Sequence, residues 1–190
     1  MFLTSTGKSA LSSFRLEKLR SALKAAAPDV SLEVTRHWYF TKLKTALSDA
    51  DHRLLDRLLG LDSEAPAKVG KNLSSLLVVP RLGTISPWSS KATDIAQHCA
   101  LPAVSRIERG LVYYFKTRSG HALSRSELKL ITPLLHDRMT ESVVLDFDGI
   151  AEKIFAHGEP KPLSTMDVLE GGSSALSVAN QAKVYAPPAG

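Results

Sequence analysis

One arrangement limits the fold of this chain more than any other: a strand pattern set between two helical patterns, and then repeated. Val30, Leu32, Val34, Arg36, Trp38 and Phe40 alternate with Ser31, Glu33, Thr35, His37, Tyr39 and Thr41, the period-two signature of a strand with one buried face. Before it, Leu16, Leu19, Leu23 and Ala26 recur at helical spacing, with Ser12 and Ser13 as cap residues and Pro28 as a stop. After it, Ser48 and Asp51 make a capping-box pair, Leu54, Leu55, Leu58 and Leu59 an apolar stripe, and Gly60 a C-terminal cap.

The order then returns beyond a Pro/Gly/Ser-containing loop at 61–74. Leu76 to Val79 reads as a short buried strand ended by Pro80, a helix follows from Ser86, and Ala103 to Phe115 is rich in β-branched and aromatic residues. Ser124, with Glu127 as its partner, opens a further helix that Pro133 kinks or ends. The halves repeat in pattern, not in residue identity, at an offset of roughly 75 residues. Phe2 to Thr4 is the weakest strand of the set. The expected fold is α+β: two ferredoxin-like strand-helix-strand-helix half-units with antiparallel strands and helices on one face, forming a pseudo-dimer.

Ser142 to Phe147 adds a strand in this reading, and Asp148 caps a short helix bearing Ile150, Ile154 and Phe155. From Gly158 the character changes, with Pro160, Pro162, Gly171 and Gly172 among serines. The expected organisation is therefore one domain over 1–158 and a linker over 159–190.

Composition narrows the class. With 44% hydrophobic residues in 190, the chain can bury one substantial core. No apolar run reaches the roughly 18 residues that a membrane span needs, and the first residues lack a secretory signal pattern. The expectation is a soluble, cytoplasmic protein with no membrane partner. Cys99 is the single cysteine, so it has no disulfide partner within the chain and no neighbours at metal-ligand spacing. The net charge of +5 is scattered, a weak pointer to an anionic partner.

The most loaded stretch runs from Arg81 to Cys99. Ser86 before Pro87 sets a hydroxyl cap and a proline where a helix start prefers them. Trp88, Ala92, Ile95, Ala96 and Cys99 then form the expected core face, leaving Ser89, Ser90, Lys91, Thr93, Asp94 and His98 on a polar face beside Arg81 and Gly83. Such a face suits either a phosphate at the helix start or another protein domain. The spacing is neither that of a Walker loop nor that of a dinucleotide fingerprint.

Other chemistry is thin. There is no G-x-S-x-G elbow, and Cys99 with His98 is no nucleophile-base pair, because helix neighbours point apart. His136 to Glu141 gathers acids, a base and an arginine, with a solvated helix end as the plain reading. His37, His52, His121 and His157 stand alone as surface or strand-face residues.

Four segments carry a resemblance: ALSSFRLEKL at Ala10–Leu19, VVPRLGTISPWSSKATDIAQHC at Val78–Cys99, RIERGLVYYF at Arg106–Phe115 and LLHDRMTESV at Leu134–Val143. Over most of residues 8–180 the chain resembles the N-terminal region of the large, single-chain phosphoribosylformylglycinamidine synthases, also called formylglycinamide ribonucleotide amidotransferases. The resemblance implies part of a purine-biosynthesis ligase that converts formylglycinamide ribonucleotide, ATP and glutamine to the amidine. It places ATP, magnesium, the synthetase domain and the glutaminase domain downstream of the matched region. No cofactor, metal or catalytic residue is then expected in this chain, and Cys99 does not match the glutaminase nucleophile. The implied role is to pack on the synthetase domain and help couple it to the glutaminase, as a duplicated small accessory subunit does elsewhere.

Two departures stand out. Leu82 occupies a position where the family's run has proline, a change that softens the loop. ALSVAN at Ala175–Asn180 resembles the start of the family's helical linker, but QAKVYAPPAG does not continue it. The expectation is a truncated product or an excised fragment, inactive alone. The residues expected at an interface or an anion are Arg81, Ser89, Ser90, Lys91, Asp94, Arg106, Arg109, His136 and Arg138. The alternative is a free-standing basic module for an anionic ligand or nucleic acid. Nucleic acid is disfavoured, since the aromatics fall mostly on core faces.

Overall fold

A computed structural model describes residues 1–61, 73–156 and 165–183. Most of the expected loop at 61–74, His157 and the first part of the expected linker lie outside the described residues. The chain divides into two units, Met1–Gly158 and Glu159–Gly190.

The first unit is α+β. Its elements are β1 (Phe2–Ser9), α1 (Ser13–Ala26), β2 (Val30–Leu43), α2 (Asp49–Leu59), β3 (Ser74–Pro80), α3 (Pro87–His98), β4 (Val104–Thr117), α4 (Arg125–Leu135), β5 (Glu141–Val144) and α5 (Ile150–Phe155). The strands form one antiparallel sheet in the order β1-β2-β4-β3-β5. Each strand-helix-strand-helix unit contributes a pair, β1-β2 and β3-β4, and the pairs join through the two long strands. Ser13 and Pro87 open the first helices, and Val30 and Val104 open the long strands, all at one common offset. The junction register pairs His37 with Leu111, two positions separated by that same offset.

Local chemistry accounts for the helix starts. Ser12, Ser48, Ser86 and Ser124 all cap, each hydroxyl accepting from the backbone amide three residues on, and Ser48 with Asp51 and Ser124 with Glu127 complete reciprocal boxes. Gly60 ends α2 at φ 68, left-handed geometry that glycine adopts without strain. Pro133 sits inside α4, which runs on to Leu135. The short helix is not capped by Asp148: Gly149 is its N-cap and no side chain bonds there.

The period-two reading of β2 needs one correction. The register shifts between Leu32 and Val34, and this irregularity turns the inward face over. Val30 and Leu32 pack with Leu23, Phe115 and Ile131, under α1 and α4. Beyond the shift, Phe40 points to the opposite face and packs with Leu77, Val112, Ile154 and Phe155, under α5. A third cluster joins Leu43, Leu55, Ala96, Leu101 and Ile107 beneath α2 and α3. A strand expected to be half-buried is thus covered on both sides along part of its length.

The second unit contains α6 (Val168–Lys183), interrupted at Gly172, which has φ 55 and ψ −147. Leu169, Leu176 and Val178 are exposed on it. The expected linker over 159–190 thus includes a helical stretch at Val168–Lys183.

Candidate functional site: the 81–89 loop and the edge of β4

The loaded stretch lies against an incomplete edge. β3 pairs with β4 only from Leu111 to Phe115, so among the described residues the earlier part of β4 lacks a strand on that side. Helix α3 fills the gap with side chains. Ser89 Oγ donates to the Ile107 carbonyl, Thr93 Oγ1 accepts from the Ile107 amide at 2.9 Å, and Gln97 Nε2 donates to the Val104 carbonyl at 3.2 Å. The three side chains are four residues apart in turn, so they form one stripe down the helix. They supply the hydrogen bonds that a neighbouring strand would otherwise give.

This rotates the helix from its expected setting. Ser89 is fully buried and Ile95 is 46% exposed, while Trp88 and Cys99 are only half-buried. The hydrophobic pattern misplaced the face because unpaired backbone at a strand edge needs polar partners more than the helix needs another buried aliphatic.

A buried ion pair secures the same corner. Glu108, 1% exposed, faces Arg106 at 3.0 Å. Its Oε1 accepts from the Ser86 hydroxyl at 2.7 Å and the Arg109 amide at 3.1 Å. Arg106 also donates to the Thr84 carbonyl at 2.8 Å and to Ser89 Oγ at 3.2 Å, and lies over the Phe155 ring. Loop, helix start and strand are tied through one carboxylate. Glu108 was missed from sequence, although Arg-Ile-Glu within a strand sets two opposite charges on one face.

The arrangement bears directly on the anion reading. A helix start attracts negative charge, and here the Glu108 carboxylate lies beside it, within 3.4 Å of the Ser86 amide. A phosphate would meet that like charge. Arg109 is engaged as well, stacking on the Trp88 ring at 4.7 Å near Tyr39. Burial, with help from the Arg109 cation, pushes the His37 imidazole down to about 4, and burial raises the Tyr39 hydroxyl.

The remaining expected residues are peripheral. Arg81, Ser90 and Lys91 are exposed, Asp94 pairs with His98 at the surface at 3.3 Å, and His136 Nδ1 lies 2.8 Å from the Thr132 carbonyl at the end of α4. Arg138 is exposed in the turn before β5. That turn comes next to the loaded loop, because the Arg81 amide donates to the Thr140 carbonyl at 2.9 Å. Between them lies a cleft of about 460 Å³ lined by Pro80, Arg81, Ile85, Pro87, Met139 and Glu141, among others. Ser89, Arg106 and Arg109 therefore serve internal contacts, whereas Arg81 lines an open surface.

Among the described residues, no group of three His, Cys, Asp or Glu side chains could hold a metal ion, and no helix is long and apolar enough to cross a membrane. A family model described as formylglycinamide ribonucleotide amidotransferase N-terminal matches residues 36–155.

Proposed function

Since the chain belongs to the formylglycinamide ribonucleotide amidotransferase N-terminal family, we propose that it is the non-catalytic docking module of that purine-biosynthesis enzyme. In this reading it packs on the synthetase domain, helps couple it to the glutaminase domain, and works in the cytoplasm. The ligase chemistry, with ATP, magnesium and glutamine, belongs to those other domains. The symmetric junction register of β2 with β4 supports treating the two strand-helix-strand-helix half-units as a pseudo-dimer, and the division of the chain after Gly158 supports reading a domain followed by a linker.

One observation carries the proposal. The polar residues of the loaded corner are spent on internal structure: Ser86, Ser89, Thr93, Arg106 and Glu108 bond one another or the backbone of β4. What faces outward is a shaped surface rather than a reactive group. The anion-binding alternative draws no support from this corner, where Glu108 already supplies the negative charge at the helix start.

The test mixes the purified chain with the catalytic part of the enzyme and follows sedimentation and product formation. A complex that raises glutamine-dependent amidine formation is expected, and the chain alone should release no ADP with all substrates and magnesium. Failure to form any complex, or turnover that tracks with this polypeptide alone, overturns the reading.

A further inference from the structure

The cleft between the 81–87 loop and the turn before β5 has features of a receptor for one particular kind of segment. Its apolar lining includes Ile85, 55% exposed, and Met139, 75% exposed. Large aliphatic side chains this open, side by side with two prolines, leave apolar surface that a partner can cover. Arg81 lines the same cleft, and none of the ion pairs among the described residues includes it. Among the described residues Glu141 is the one acid in the lining, and it is turned to its own strand start: its Oε2 accepts from the Asp137 amide at 2.9 Å, and it forms no ion pair with Arg81.

Both walls are fixed in advance. The Arg81 carbonyl accepts from the Thr84 amide at 3.1 Å and the Thr84 hydroxyl at 2.6 Å, and the Thr84 carbonyl is held by Arg106. The opposite wall is pinned by the Arg81 amide to Thr140 carbonyl bond and by the pairing of Pro80 with Glu141. A wall already ordered loses little entropy when it is covered.

We propose that this cleft receives an extended segment of the enzyme's catalytic part, presenting an apolar side chain to Ile85 and Met139 and a nearby carboxylate to Arg81. The proposal rests on the docking reading above and adds the surface and the partner's chemistry. Charge complementarity selects the occupant: the open cation calls for an acid, and a second copy of this chain, at net charge +5, brings like charge instead. A free inorganic anion would find one arginine, and at the nearby helix start the Glu108 carboxylate already set against the Ser86 amide.

A photoreactive benzoylphenylalanine at position 85, in the chain mixed with the catalytic part, identifies the occupant by mass spectrometry of the cross-linked peptide. The expected product is a peptide of the catalytic part with Asp or Glu close to the cross-linked residue. In parallel, Arg81→Glu and Met139→Asp should each weaken the complex about tenfold or more while thermal unfolding stays unchanged, because both side chains are exposed. Cross-linking to a second copy, or to a segment without an acid, overturns the proposal. Unchanged affinity in both variants overturns it too, while leaving docking by another face intact. No complex with the parent chain removes the docking reading and this inference together.

Discussion

The Ser86 hydroxyl joins a helix to a buried charge: it accepts the Ser89 amide at 3.0 Å and donates to Glu108 Oε1 at 2.7 Å. A cap residue ordinarily tolerates Asp as well as Ser. Here it should not. Ser86→Ala loses the cap, worth about 1 kcal/mol, and a charge-assisted bond, worth about 1.5–3 kcal/mol in general. Ser86→Asp keeps a cap acceptor but sets a second carboxylate against Glu108, and like charges at that distance oppose one another. Urea denaturation should find both variants less stable than the parent. An Asp variant as stable as the parent would dissolve the claimed contact with Glu108.

Leu82 offers a gain. The Arg81–Thr84 turn is closed by the Thr84 amide to Arg81 carbonyl bond at 3.1 Å, with Gly83 at φ 81. Positive φ at the third position marks a type II form, in which proline suits the second position. Leu82 holds that place and is 39% exposed. Leu82→Pro should therefore stabilise by about 0.4–1 kcal/mol, through loss of freedom in the unfolded chain. A lowered midpoint in thermal unfolding would count against this turn geometry.

The buried imidazole gives a pH dependence of known sign. His37 is held near 4 in the fold, against 6.5 for an unperturbed ring, chiefly by burial and next by Arg109. Between those values the unfolded chain binds a proton that the native state refuses, so stability falls as pH drops from about 6.5 toward 4. For a half-buried ring the loss is about 1 kcal/mol after allowing for solvent screening. His37→Gln should remove that part of the slope. Parallel urea titrations at neutral pH and near pH 4.5 compare the two proteins; equal losses would show the ring to be uninvolved.

The elements legible in sequence were those written in local chemistry. Four serine caps, the Gly60 terminus and the periodic leucines act within a few residues, so they survive any tertiary context. The second half of β2 did not, because the irregularity between Leu32 and Val34 leaves no mark in hydrophobic alternation and yet exchanges the two faces. The loaded stretch was seen as important, but for a different task. Ser89 and Thr93 look like a ligand-binding polar face until the missing strand beside Ile107 is known, and strand pairing depends on residues far away in the chain.

That missing strand yields the sharpest test. Ile107 is 1% exposed, and its amide and carbonyl both end on α3, at Thr93 and Ser89. Thr93→Val keeps the side-chain shape but leaves the buried amide without an acceptor, which costs about 1–3 kcal/mol. Ser89→Ala removes the donor to the carbonyl and one contact of Arg106, with a cost of similar size. Because both act on one residue's backbone, the double variant should depart from additivity. Ser90→Ala, on the exposed side of the same helix turn, should change stability by less than about 0.5 kcal/mol. If α3 instead turned its hydroxyls to solvent, all three substitutions would be equally mild, and amide hydrogen exchange at Ile107 would stay fast in the parent protein. Slow exchange at Ile107 that accelerates in Thr93→Val but not in Ser90→Ala is the expected result.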